Sequence, residues 1–108
     1  MNLDQLVVRL NETVPGFVHY RESDGSLFDG ESPHAVFAAC SHYVRENVIS
    51  REVWRSLASL LNEIVGSGDD IDNAACTCFL ENLACDTHPL QELLQGQALE
   101  QWRKWSGL

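Results

Sequence analysis

The sequence predicts an all-α fold, an irregular antiparallel bundle of five or six short helices. Apolar residues recur at helical spacing in several segments of the 108-residue chain. Helix start and stop signals separate these segments, among them Ser32-Pro33, Ser50 and Gly66. Residues 69–85 are apolar around most of a helical circumference, so other helices must cover them. A chain of this length buries one hydrophobic core, and we expect a single domain over residues 1–108.

The helical segments follow one another with short connections, apart from one long connection after the first. Helix one ends at Pro15-Gly16, and Pro89 opens the short helix that follows the central one. In the central helix, Asn82 falls on the apolar face, and we expect a buried amide there that fixes the fold. We predict helices, in chain order, over residues 3–13, 33–47, 51–65, 69–85, 89–95 and 97–105.

The long connection, residues 15–32, is the irregular part of the chain. Apolar stretches flank the turn signal Asp24-Gly25, so the sequence is compatible both with a small β-ribbon at 17–28 and with an open loop. Long connections in small domains are often functional. This one lacks the spacing of acidic residues found in an EF-hand calcium loop. It carries four acidic residues with Arg21 to oppose them: Glu22, Asp24, Asp29 and Glu31.

The net charge of −9 is distributed unevenly. Residues 34–66 are balanced, whereas residues 1–33 and 67–108 hold the acidic excess. Such a balance repels nucleic acid and anionic membranes and favours a basic protein partner. We expect the partner to contact the acidic connection and a second acidic patch. Acidity also raises solubility, and that explanation stays open. The predicted contact residues are Glu22, Asp24, Asp29 and Glu31, with Asp69, Asp70 and Asp72.

The sequence predicts neither insertion in a membrane nor export. No apolar run approaches the ~20 residues that a membrane-spanning helix needs. The N-terminal residues MNLDQLVVRLNE have no basic region ahead of an apolar stretch, so we expect no signal peptide. We therefore expect a cytoplasmic protein, in which free cysteines behave as small apolar residues.

The cysteines and histidines raise two chemical alternatives. Cys76, Cys78, Cys85 and His88 have a spacing reminiscent of a zinc site. On a helix, however, Cys78 and Cys85 are separated by about 10 Å along the axis, too far to share one ion. Catalysis by a cysteine needs a nearby base, and Cys85 and His88 are the pair that a single turn brings closest. No phosphate-binding or metalloprotease motif is present. We expect no metal, no cofactor and no enzymatic activity.

Residues 73–83 read NAACTCFLENL. This run resembles the T-C-F-L-E-N helix of small uncharacterised bacterial proteins. Residues 90–105, a leucine segment, a glycine and a W-x-x-W-like segment, are similar to their C-terminal part. Some of these proteins look like immunity proteins of bacterial toxin systems, so the resemblance implies a role in masking a cognate toxin domain.

A second interpretation remains open, in which the chain is a helical adaptor or a homo-oligomerisation module. The last predicted helix carries Trp102 and Trp105 at i, i+3 spacing, and exposed parts of both indoles would form a self-association patch. We expect a monomer or a weak homodimer.

Overall fold

The computed structural model describes residues 2–17, 32–84 and 90–106, and these residues form six helices and no strand. The expected all-α fold is confirmed. The predicted ribbon at 17–28 lies outside the described residues from position 18 onward. Helix α4 is continuous but has three parts, the middle one π-helical. The helices are α1 (Leu3–Thr13), α2 (Pro33–Glu46), α3 (Arg51–Ile64), α4 (Asp70–Ala74, Ala75–Leu80 and Glu81–Leu83), α5 (Leu90–Leu93) and α6 (Gly96–Ser106).

Side-chain caps explain where the first four helices begin. Asn2 forms a reciprocal capping box with Gln5 at the start of α1. The hydroxyls of Ser32 and Ser50 accept hydrogen bonds from backbone N–H groups in the first turns of α2 and α3. Asp69 caps α4 in the same way. These caps satisfy amides that a helix leaves without an intrahelical partner, and they fix each helix start close to its predicted position.

Helix α4 lies at the centre of the described structure. Its π-helical part packs mainly against α2 and also against α6, while α3 packs on α1, α5 and α6. Phe79 of α4 and Phe37 of α2 are fully buried, with ring centroids 5.9 Å apart. Trp102 of α6 is also fully buried. The buried apolar side chains form one continuous cluster, and the Cα radius of gyration is 12.8 Å, near the ~13 Å of a compact 100-residue domain.

Two features of α4 differ from the sequence expectations. Asn82 is exposed, not buried, and its Nδ2 donates to the Cys78 carbonyl at 2.8 Å. The middle part also has a wider turn, in which the Glu81 N–H donates to the Cys76 carbonyl five residues back. Beside this turn, the Thr77 hydroxyl donates to the Asn73 carbonyl at 2.9 Å. Such side-chain bonds to helix carbonyls compete with the backbone ladder and loosen it locally.

None of the helices in the described parts of the chain combines the length and the apolar character needed to cross a membrane.

Candidate partner-binding surface

The second predicted acidic patch is the N-terminal cap of α4, which we call the acidic cap (Asp69, Asp70 and Asp72). Asp69 Oδ1 accepts hydrogen bonds from the Asp72 backbone N–H and from the Ser67 hydroxyl, both at 2.9 Å. These two bonds lower the pKa of Asp69 below its ordinary value. The Asp69 carboxylate is therefore charged and fixed in one orientation at neutral pH.

The other two carboxylates of the acidic cap differ in how firmly they are held. Asp72 is half-buried, and its two oxygens accept from the Gly68 N–H at 2.9 Å and from the Cys76 thiol at 3.5 Å. Asp70 is exposed. A carboxylate has about four acceptor positions, so the bonds within the cap leave positions on Asp69 and Asp72 for a partner.

The acidic cap stands between two open cavities. The larger, of about 440 Å³, lies between the start of α4 and the end of α6. The smaller, of about 280 Å³, lies where α1, α2 and α4 meet, and Asp69 lines both. The cap is thus a ridge with a hollow on either side. The larger cavity is lined by Gly68, Asp69, Asp72, Asn73, Cys76, Thr77, Gln101, Lys104 and Trp105. The smaller one is lined by Asn2, Leu3, Pro33, Asp69, Asp70 and Ile71.

The wall of the larger cavity that faces the acidic cap belongs to α6. There the Lys104 ammonium lies 5.6 Å from the centroid of the Trp105 ring, a cation–π contact. Trp105 is 38% exposed, which places a large apolar surface at the rim. The cavity therefore has an acidic wall on α4 and an aromatic wall with one cation on α6.

The indole next to Trp105 in the predicted self-association patch is not available. Trp102 is fully buried in the core, because α6 packs on α3 and α4 with this face inward. The expectation that both indoles are partly exposed is therefore wrong for Trp102, and an apolar patch on this helix would rest on Trp105 alone.

The described cysteines have different surroundings. Burial raises the pKa of Cys40 to about 12. Partial burial, helped by the Asp72 carboxylate, raises the pKa of Cys76 to about 11. Both are thus neutral thiols at physiological pH. Cys78 lies on another side of α4, with its sulfur 3.3 Å from His34 Nδ1. Sequence reasoning missed this pair because 44 residues separate its members, and only the packing of α2 on α4 brings them together.

The residues proposed for a zinc site are only partly described. Cys76 and Cys78 contact different residues, Asp72 and His34, whereas Cys85 and His88 lie outside the described residues. Within the described ranges, no group of three or more His, Cys, Asp or Glu residues is arranged to hold a metal ion.

The first predicted acidic patch lies outside the described residues: Glu22, Asp24, Asp29 and Glu31 all fall in the range 18–31. Of the predicted contact residues that the structure describes, it brings together the three of the acidic cap. The α6 wall was not predicted as part of the site, because a sequence pattern shows that α6 has a polar face without showing which helix it meets.

Comparison of the chain with known protein families, with curated proteins and with solved structures finds no match. The resemblance of residues 73–83 to the T-C-F-L-E-N helices thus stays a prediction.

Proposed function

We propose that this chain is a non-enzymatic binding protein of the cytoplasm, and that it is an immunity protein which masks a basic bacterial toxin domain. The observation that carries the proposal is the acidic cap, a ridge of three carboxylates between two open cavities. The net charge of −9 supports it, because opposite fields on two proteins raise their rate of encounter.

The geometry of the cap suits recognition of arginine or lysine. Hydrogen bonds within the cap hold Asp69 and Asp72 in place before a partner arrives, so little side-chain entropy is lost on binding. Their remaining acceptor positions match the donors of a guanidinium or an ammonium group. The cavities on both sides give room for long basic side chains to approach the carboxylates from the flank.

The α6 wall gives the same surface an apolar anchor and an orientation. A partly exposed tryptophan beside a polar rim is typical of the residues that dominate protein–protein binding energies. Lys104 on this wall repels a basic group, so the partner's cations are directed toward the cap across the cavity. We therefore expect the partner to place basic residues on the cap and an apolar or acidic group near Trp105 and Lys104.

A growth assay tests the proposal. The probe is the product of the reading frame immediately upstream in the genome, expressed from an inducible promoter with or without this chain. We expect the upstream product to arrest growth and the wild-type chain to relieve the arrest. A chain with Asp69, Asp70 and Asp72 all changed to Asn should relieve it less, although the asparagine at position 69 still supplies a side-chain acceptor for the helix cap.

The control removes a charge of the same kind from another surface. Glu52 is exposed on α3, a helix that contributes no residue to either cavity, and Glu52→Gln should protect as well as the wild type. Circular dichroism of each purified variant checks that the helices remain. Continued growth arrest in the presence of wild-type chain would overturn the immunity role. Equal protection by the triple variant would show that the toxin does not bind at the acidic cap.

A further inference from the structure

Cys78 and His34 form a thiol–imidazole pair on the side of α4 that faces α2. The Cys78 sulfur lies 3.3 Å from His34 Nδ1, within hydrogen-bonding distance for sulfur. Both residues are half-buried, so the pair lies neither deep in the core nor fully in solvent. The Thr77 hydroxyl lies 3.7 Å from the same sulfur and gives it a second polar neighbour.

The packing of α2 on α4 keeps Cys78 and His34 next to each other. Helix α2 and the π-helical part of α4 pack directly on each other. Nearby, Asn82 Nδ2 donates to the Cys78 carbonyl at 2.8 Å and to the Ser41 hydroxyl of α2 at 3.3 Å. His34 is in the first turn of α2, directly after Pro33. The π-helical part of α4 thus presents the Cys78 sulfur to an imidazole base on α2.

The other described cysteines lack this arrangement. Cys40 is fully buried among apolar side chains. Cys76 points its thiol at the Asp72 carboxylate, which opposes formation of a second negative charge. Of the cysteines in the described residues, Cys78 is the one that combines partial exposure with a neighbouring base.

We propose that the Cys78–His34 pair is a reactive-thiol site, at which Cys78 exchanges with the disulfide of a low-molecular-mass thiol. His34 takes the proton from Cys78, and the resulting thiolate attacks one sulfur of the disulfide R–S–S–R. The new bond joins Cys78 Sγ to that sulfur as the S–S bond of the reagent breaks. The second sulfur leaves as a thiolate with the electron pair and recovers the proton from His34 as R–SH. This inference does not depend on the proposed partner.

The probe for this reaction is 5,5′-dithiobis(2-nitrobenzoate), a low-molecular-mass aromatic disulfide whose released thiolate absorbs visible light. The folded chain is treated with less than one equivalent, and peptide mapping under non-reducing conditions identifies the labelled cysteine without any substitution. We expect the label on Cys78. Preferential labelling of Cys40, Cys76 or Cys85 would overturn the proposal.

Rates of the same reaction test the role of His34. Release of the coloured thiolate should have a fast phase that comes from Cys78. In a Cys85→Ser background, which removes the thiol outside the described residues, Cys78→Ser should abolish this fast phase and Cys76→Ser should leave its rate unchanged. His34→Asn keeps a polar group near the Nδ1 position but does not accept a proton. At pH 6.5 we expect it to slow the fast phase at least about tenfold, since an unassisted thiol is almost wholly protonated there.

At pH 9.5 the rates of the His34→Asn variant and of its parent should converge, because thiols then ionise without a base. Asp69 and Asp70 line the cavity that is also lined by Pro33, the residue before His34. An equal slowing at both pH values would mean that His34 only shapes access to the sulfur, and an unchanged rate at pH 6.5 would remove it from the reaction. Either result overturns the role of the pair.

Discussion

Phe79 shows how one side chain holds the centre of this protein. It is fully buried on α4 and meets Phe37 of α2 with the two rings tilted by 59°. Tilted aromatic pairs at this separation contribute beyond the area that they bury. Helical periodicity alone indicates an inward position for Phe79, because its neighbours one turn away on the same face, Ala75 and Leu83, are also apolar.

Replacing Phe79 by Ala should lower the free energy of unfolding by about 3–5 kcal/mol, since the change leaves a cavity that the packed surroundings fill only in part. Urea denaturation followed by circular dichroism measures the loss. Val48→Ala is the control, because Val48 is 103% exposed and its truncation should change stability by less than about 0.5 kcal/mol. A loss below about 1 kcal/mol for Phe79→Ala would show that the core around α4 is loosely packed.

Asn82 is a residue whose burial helical periodicity does not predict correctly. The 100° projection placed it among apolar residues, yet it is exposed and bonds the Cys78 carbonyl of its own helix. The projection assumes a regular helix, and the wider turn at Ala75–Leu80 rotates the residues that follow it. Residues before that turn, such as Ile71 and Ala74, are buried as the projection requires.

At the scale of elements, the starts of α1 to α4 and the end of α3 were predictable, whereas the π-helical turn and the end of α5 at Leu93, before the predicted 95, were not. Ser32-Pro33, Ser50 and Gly66 carry local chemistry that starts or ends a helix in any tertiary context. The wider turn has no such signature. The apolar perimeter of α4 is so broad that a shift of one residue still buries apolar side chains, so burial does not select between the two helix types.

The cap of α4 predicts a specific loss of stability in acid. The pKa of Asp69 is lowered in the folded state by its bonds from the Asp72 N–H and the Ser67 hydroxyl. A lowered carboxyl pKa contributes stability above the unfolded pKa, and this contribution disappears as the pH falls through the folded pKa. Asp69→Asn keeps a capping oxygen without the ionisable group. We therefore expect the advantage of wild type over Asp69→Asn to shrink between about pH 6 and about pH 2.5.

Urea midpoints of both forms at the two pH values measure this change. The pKa of Glu63 is also lowered, by its hydrogen bonds from Arg9. Glu63 is unchanged in both forms, so its own acid sensitivity cancels in the comparison. Ser67→Ala removes one of the two hydrogen bonds to Asp69. The loss of stability of this variant between the two pH values should therefore be smaller than that of the wild type and larger than that of Asp69→Asn. A difference between wild type and Asp69→Asn that is the same at both pH values would contradict a stabilised Asp69 carboxylate.

At the scale of the whole molecule, the acidic charge of the protein could be predicted from the sequence, but the groups that surround it in space could not. The acidic cap could be predicted because Asp69, Asp70 and Asp72 are close together in the chain. The opposite wall depends on α6 packing beside α4, which joins segments that are distant in the sequence. The same is true of His34 and Cys78. Which helices pack against each other depends on how the apolar faces of all the helices fit together in one core. The periodicity of a single segment does not predict this.

The two acidic patches should contribute separately to the association rate with a basic toxin partner. Asp24→Asn with Asp29→Asn removes two charges from the connection that lies outside the described residues, and Asp70→Asn removes one exposed charge from the acidic cap. Each change should slow association and flatten its dependence on salt, because screening acts chiefly on long-range attraction. Stopped-flow association with the purified partner at low and high ionic strength measures both quantities.

The same measurement separates steering by a patch from a general effect of net charge. Glu52→Gln changes the net charge as much as Asp70→Asn does, but from α3, away from both cavities. If the acidic cap faces the partner during the encounter, Asp70→Asn must slow association more than Glu52→Gln, since charges beyond about 10 Å of the contact are largely screened at about 0.1 M salt. Equal effects of the two substitutions would mean that only the total charge acts. Rates unchanged by all of the variants would mean that the acidity serves solubility and that the partner binds elsewhere.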